Sequence, residues 1–302
     1  MSKYFNESQR LRSTTVFDDI LRPVPENGAA PPAVPTRNAA VEPLPFPETA
    51  MSDAGAGLEL PAVEQEKYRT IQLPLEKLPR AQFKDGRSLE AAEESYRALR
   101  TRLLRIKTAQ GIRSVVITSA SQGDGKTLTS LNLGLCCAQM HDLRVLLVDA
   151  DVRNCGLSRA IESPEGLGLA DVLTGNCTPE QAVLQTDRPN LCVVASGTAT
   201  TAAAELFASG RWSEFVNWSK GKFDLILVDS PPALSLSDVE LITAGCEGVL
   251  LVVRARYTRR ETLQKCVRQV DAKKLLGVVY NGVQEGSHHR YRYKKYGRYG
   301  KD

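Results

Sequence analysis

Between Ser88 and about Thr108, the apolar residues Leu89, Ala92, Tyr96, Leu99, Leu103 and Ile106 recur at steps of three and four. That spacing gathers one buried stripe on a helix and leaves the other faces polar. Beyond it the pattern changes. Short aliphatic and β-branched runs alternate with helical segments: Ser114 to Thr118, Arg144 to Val148, Leu191 to Val194, Phe223 to Val228, Gly248 to Val253 and Leu275 to Tyr280. Several are apolar at nearly every position, as strands covered on both faces must be. A helix over Leu128 to Gln139 follows the first run. Strand and helix in this alternation predict an α/β fold with a doubly wound, mainly parallel sheet.

The flanks differ from this body. Eleven of the sixteen prolines lie between Pro23 and Pro79, among alanines, glycines and small polar residues. Such a composition buries too little apolar surface to offset the ordering of the chain. Residues 1–81 are therefore expected to be a largely disordered extension, either a plain tether or one carrying a docking peptide such as Pro43-Leu44-Pro45-Phe46-Pro47. The folded domain is expected over 82–283, dense from Ser88 to Gly282, and a tail follows over 284–302.

Charge and composition narrow the function. The net charge is +4, and the tail holds six basic residues (Arg290, Arg292, Lys294, Lys295, Arg298, Lys301) against Glu285 and Asp302, which accounts for all of it. The neutral body argues against a nucleic-acid-binding face, and no nucleic-acid partner is expected. The longest strongly apolar run, Gly248 to Val253, is far below the roughly 20 residues of a bilayer helix. Met1 to Leu21 lacks a signal-peptide core. These features predict a soluble, cytoplasmic protein. The seven cysteines form no C-x-x-C pair and read as reduced thiols, so neither disulfide nor cysteine-metal chemistry is expected.

The strongest chemical signal is Ala120-Ser121-Gln122-Gly123-Asp124-Gly125-Lys126-Thr127, between a strand and a helix. A loop so placed aims backbone N–H groups at a phosphate, at the positive end of a helix dipole. Gly123 and Gly125 let the backbone approach, Lys126 reaches the terminal phosphates, and the Thr127 hydroxyl suits Mg2+. Gln122, Asp124 and Leu128 complete the nucleotide-binding stretch. Ala120 stands where the usual pattern has its first glycine. Two buried strands end in acid: Asp149 and Asp151 after Leu146-Leu147-Val148, and Asp229 after Leu225-Ile226-Leu227-Val228. Ligands of open α/β sheets bind beyond the carboxyl ends of strands, so the three segments should converge. Thr127, Asp149 and Asp229 are the candidate metal residues; Lys126, Asp149, Asp151 and Asp229 are the candidate catalytic ones.

With these motifs the chain resembles the bacterial tyrosine kinases, which are similar in fold to the septum-site and partitioning P-loop ATPases. The resemblance runs from about Ser88 to the C-terminus. It rests on the phosphate loop, Asp149-Ala150-Asp151-Val152-Arg153, Asp229-Ser230-Pro231-Pro232, Gly168-Leu169-Ala170-Asp171-Val172-Leu173-Thr174-Gly175, and Gly277 to Val283 ahead of a tyrosine cluster. Glu94, Arg97 and Arg100 match the family's E-x-x-R-x-x-R helix, which implies that residues 88–108 join subunits into a ring; the spacing alone would also suit a solvated face. Two loops depart from the family: Asn154-Cys155 replaces a proline-containing turn, and Thr200 to Ala204 replaces a proline-rich stretch.

The partitioning ATPases carry a lysine five residues before the loop lysine, and here that position is Ser121. A hydroxyl supplies no cation to a neighbour's phosphate. The resemblance thus implies an ATP- and Mg2+-dependent tyrosine autokinase, with a non-kinase ATPase switch recruiting proteins to membrane or DNA as the alternative. It implies that Tyr291, Tyr293, Tyr296 and Tyr299 are phosphorylated in trans, with Asp149 and then Asp151 as candidates to accept the phenol proton. It further implies control of exopolysaccharide or capsule assembly, a transmembrane activator of the chain-length-determinant type, an opposing protein-tyrosine phosphatase, and a position at the inner face of the cell membrane. The basic tail could equally touch anionic lipid. Asn281 is expected either at the adenine or in an ordinary turn.

Overall fold

A computed structural model describes residues 68–74, 86–198, 200, 202–234 and 238–283. The Pro43–Pro47 segment and the tail tyrosines Tyr291, Tyr293, Tyr296 and Tyr299 lie outside the described residues, as do the side chains of 86–89 and 91. The described strands are β1 (Arg69–Ile71), β2 (Ser114–Ser119), β3 (Val145–Asp149), β4 (Val183–Thr186), β5 (Leu191–Val194), β6 (Leu225–Asp229), β7 (Gly248–Arg254) and β8 (Leu275–Asn281). The helices are α1 (Gly86–Gln110), α2 (Lys126–Cys137), α3 (Gly156–Ala160), α4 (Leu169–Thr174), α5 (Pro179–Ala182), α6 (Ala203–Ala208), α7 (Arg211–Lys222), α8 (Asp238–Ala244) and α9 (Arg260–Gln269).

All eight strands form one sheet in the order β1-β4-β5-β3-β6-β2-β7-β8. Every neighbouring pair is parallel except β4 with β5. The expected doubly wound, mainly parallel α/β fold is therefore present. Successive side chains of a strand point to opposite faces, and each face has its own core. Leu146 and Val148 pack with residues of α4, α6, α7 and α8, while Val145 and Leu147 pack with residues of α1, α2 and α3. On α1, Leu103 is buried and Tyr96, Leu99 and Ile106 pack beside it, as the periodicity required.

Two strands were not legible. Within the stretch expected as a disordered extension, Arg69–Ile71 pairs with β4 in parallel, and Leu73 is buried in the core. Residues 68–74 thus belong to the sheet rather than to a tether. The physical reason lies on β4, a four-residue strand whose backbone offers a free row of donors and acceptors beside β5. The helix after the phosphate loop starts two residues earlier than expected, at Lys126, because Gly125 turns left-handed (φ 96°) and ends the loop there.

Glu247 ties the start of β2 to the turn before β7. Its Oε2 accepts the N–H groups of Arg113 (2.6 Å) and Ser114 (3.0 Å), and its Oε1 lies 2.9 Å from Lys220 Nζ. Burial pushes this carboxyl up, but the two amides and Lys220 together hold it below its ordinary value. A depressed acid stabilises the fold above its unfolded pKa and loses that contribution as pH falls through the folded one. Glu247→Ala should therefore cost about 1–2 kcal/mol near neutrality, discounted for the group's partial exposure. Urea unfolding should show the gap closing below about pH 4.

Candidate nucleotide and phosphoryl-transfer site

The register of the central strands builds the site. The crossover from β2 through α2 returns at β3, two places along the sheet, and β6 fills the slot between them. Asp149 and Asp229 are direct cross-strand partners, and Ile117 of β2 pairs with Asp229 from the other side. Two carboxylates and the phosphate loop therefore meet at one edge, beyond the carboxyl ends of their strands, as the sequence required.

Lys126 stands at the centre. Its Nζ lies 3.2 Å from Asp151 Oδ2 and 3.9 Å from Asp229 Oδ2. Asp229 is fully buried; its Oδ2 accepts the Thr127 hydroxyl at 2.7 Å and its Oδ1 accepts that of Ser130 at 3.1 Å. Burial raises the Asp229 pKa, Lys126 opposes it and Asp149 adds repulsion, leaving it at about 7. Asp149, also fully buried, has both oxygens engaged. Oδ2 accepts the Ser158 N–H and hydroxyl at 2.8 and 2.7 Å, and Oδ1 accepts the Asp151 N–H at 3.2 Å. Burial lifts this carboxyl above its ordinary value despite those bonds. Asp151, 2% exposed, takes the Asn154 backbone N–H and Nδ2 on Oδ1, and Lys126 with a longer Asn154 Nδ2 contact (3.4 Å) on Oδ2. Three carboxyl groups thus cluster beside one lysine, and burial raises two of them, a shift that a bound cation would oppose.

A magnesium ion fits here by donor chemistry and by space. Thr127 Oγ1 and Asp229 are adjacent hard-oxygen donors. A Cβ on Gly156 would stand 3.3 Å from Thr127 Oγ1, so the glycine keeps the approach to that hydroxyl open. No group of three or more His, Cys, Asp or Glu among the described residues is arranged to hold a metal alone.

Several partners escaped the sequence. Ser130, four residues after Lys126, faces the loop because one helical turn returns it there. Ser158 follows Asp149 by nine residues through a turn whose shape no spacing rule predicts. Arg153 forms a two-pronged ion pair with the buried Asp238 (Nε–Oδ2 2.8 Å, Nη2–Oδ1 3.3 Å), clamping the turn after Asp151 to the start of α8. Asn281 donates to the Asp124 carbonyl at 3.0 Å, and a Cβ on Gly125 would collide with its amide. The structure therefore places Asn281 against the loop. On α1, Glu94 pairs with Arg97 at 3.1 Å on an exposed flank. Arg100 turns inward and donates to the Cys136 carbonyl at 2.7 Å, at the end of α2. The three residues do not form one uniform charged flank.

A strand, a glycine-bent loop, a helix starting on Lys126 and acidic strand tips define a P-loop nucleotide-binding protein. Residues 112–275 match the AAA domain family. The chain is 32% identical over 202 residues to the tyrosine-protein kinase YwqD of Bacillus subtilis, covering 66% of this chain and 85% of that one. It is 31% identical over 218 residues to the tyrosine-protein kinase CpsD of Streptococcus agalactiae, covering 71% and 93%. The kinase domain of the Escherichia coli tyrosine kinase ETK superposes with a TM-score of 0.61 at 26% identity, over 75% of this chain and 87% of that one. The chain belongs to the bacterial tyrosine-protein kinases.

Gly156→Ala should crowd Thr127 and leave the core untouched. The magnesium concentration giving half-maximal kinase activity should rise by about three- to tenfold with little change in melting temperature, equivalent to roughly 1 kcal/mol. Magnesium titrations of both proteins at saturating ATP check this.

Proposed function

We propose that the chain is a MgATP-dependent autokinase that phosphorylates the tail tyrosines Tyr291, Tyr293, Tyr296 and Tyr299 of a neighbouring copy. The observation that carries this reading is Lys126 held between Asp151 and Asp229 at the mouth of the phosphate loop. The β- and γ-phosphates offer Lys126 a denser negative charge than one carboxylate does. Lys126 moves onto them, and Asp151 loses its cation. Asp151 Oδ2 then keeps only the longer Asn154 Nδ2 contact at 3.4 Å and turns to the acceptor, whereas Asp149 stays committed to Ser158 and the Asp151 amide at 2.7 to 3.2 Å. This favours Asp151 over Asp149 for orienting the phenol, the reverse of the order expected from sequence, and leaves Asp149 to position Asp151.

In the transfer, the tyrosine oxygen bonds to the γ-phosphorus, the bond to the β–γ bridging oxygen breaks, and ADP leaves. Asp151 accepts the phenol proton. Lys126 and the loop amides neutralise charge on the phosphoryl oxygens. Magnesium, when bound at Thr127 and Asp229, supplies further charge neutralisation there. Gln122, Gly123, Gly125 and Leu128 contribute backbone contacts to the phosphates.

The basic flanks of the tail draw it towards this acidic site. Each phosphate adds about −1.5 to −2 charges, so three or four reverse the tail's sign and loosen a ring built through Glu94 and Arg97. By its likeness to the family, the kinase acts at the inner membrane face with a transmembrane activator of the chain-length-determinant type and a protein-tyrosine phosphatase, in exopolysaccharide or capsule assembly.

Labelled ATP tests the reading. Wild type should accumulate phosphotyrosine, and Lys126→Met should not. Exchange of all four tail tyrosines for phenylalanine keeps the charge and should remove most of the label. Undiminished label in that variant rules out the tail as acceptor, and wild type that hydrolyses ATP without phosphotyrosine, even beside its activator, points to an ATPase switch. Sedimentation should show smaller species after full phosphorylation; an unchanged oligomer defeats the charge-reversal mechanism.

A further inference from the structure

The outer side of the phosphate loop is gripped by a segment to which neither the motif nor the mechanism gives a role. Three successive loop carbonyls take side-chain donors from the β7–α9 turn and the end of β8. Tyr257 Oη lies 3.5 Å from the Gln122 carbonyl, Arg254 Nη1 3.4 Å from that of Gly123, and Asn281 Nδ2 3.0 Å from that of Asp124. In a planar trans peptide the C=O and the following N–H point opposite ways. Holding these carbonyls outward therefore turns the N–H groups of Gly123, Asp124 and Gly125 inward, where a phosphate is read.

The firmest hold is on the Asp124 side chain. This carboxylate is fully buried, and both its oxygens meet uncharged donors: Oδ2 takes the Ser121 N–H at 2.8 Å, and Oδ1 takes the Thr258 hydroxyl at 2.7 Å. The direction of the second bond is fixed, because Thr258 Oγ1 itself accepts the Arg254 N–H at 2.8 Å and its one proton is left for Asp124. The turn that presents Thr258 is shaped by Arg256 in the left-handed region (φ 60°) and closed by the Thr258 N–H on the Arg254 carbonyl at 3.0 Å. Thr258 is 134 residues away in sequence from the carboxylate it serves.

We propose that Thr258 is a positioning residue for phosphoryl transfer: through Asp124 it latches the phosphate loop with its amides already turned towards the triphosphate. The proposal rests on the loop being the ATP site. Without the latch, ATP must order the loop as it binds, and affinity falls by that ordering cost. The chemical step, carried out by Lys126 and the aspartates, changes little.

Thr258→Val keeps the shape and removes the hydroxyl; Thr258→Ser restores it. For Thr258→Val, which frees Asp124 Oδ1 and the Arg254 N–H together, the KM for MgATP should rise about tenfold or more with kcat within about twofold. Thr258→Ser should lie within about twofold of wild type, and Asp124→Ser, which also releases the Ser121 N–H, should raise the KM at least as far. In the Asp124→Ser background, Thr258→Val should raise the KM by clearly less than it does in the wild type, since the bond to Asp124 is already gone and only the Arg254 N–H is newly released. An unchanged KM in Thr258→Val, a loss that serine does not recover, or losses that multiply in the double variant each overturn the latch. So does a lowered melting temperature with wild-type MgATP binding, which leaves the bond merely structural. Calorimetric titration of the wild type with MgATP comes first: failure to bind there removes the ATP-site reading itself, separately from any Thr258 result.

Discussion

A single lysine facing three buried carboxylates is the constraint on which the site depends. Lys126 meets Asp151 and Asp229 directly, and Asp149 stands beside Asp229 in the strand register. Burying charge without a partner is costly, and one lysine does not balance three acids. Protein donors hold the surplus for the moment: Ser158 on Asp149, Thr127 and Ser130 on Asp229, and Asn154 on Asp151. The carboxyl groups are hydrogen-bonded throughout, burial raises Asp149 and Asp229, and a divalent cation beside Asp229 would favour its ionised form.

That balance also orders events. Lys126 pairs with Asp151 and Asp229, so a nucleotide that drew it away would leave Asp151 without its cation. The two aspartates of one motif thereby divide the labour. Asp149 spends both oxygens on Ser158 and the Asp151 amide, and Asp151 shares its Oδ2 between Lys126 and a longer Asn154 contact. Arg153, clamped to Asp238, holds the turn between them from outside.

The sheet makes these distances possible because its two faces are filled independently. α1 and α2 close one face, the aromatic residues of α7 close the other, and the strand tips are left free of the core. Trp212 stacks on Phe215 at 5.9 Å and meets Phe207 edge-on at 5.4 Å, deep in the second face. The buried thiols of Cys137, Cys192, Cys246 and Cys266, each pushed up to about 12 by burial, belong to this packing and not to chemistry.

Six strands, the long helix and the phosphate loop were legible because each is written in neighbouring residues. Apolar periodicity reports burial over a few positions, and a phosphate loop needs its glycines, lysine and threonine side by side. The acids at the strand ends were legible for the same reason. β1 was not, since Arg69–Ile71 becomes a strand only when β4 offers it an edge, and nothing in three residues announces that. The inward turn of Arg100, the hold of Ser158 on Asp149 and the grip of Thr258 on Asp124 were hidden likewise. The sequence by itself determined which residues could bind a triphosphate and its metal. Only the tertiary structure decided which carboxyl groups Lys126 meets and which side chains bond the loop from outside, because those outcomes depend on contacts between residues far apart along the chain, which local spacing does not encode.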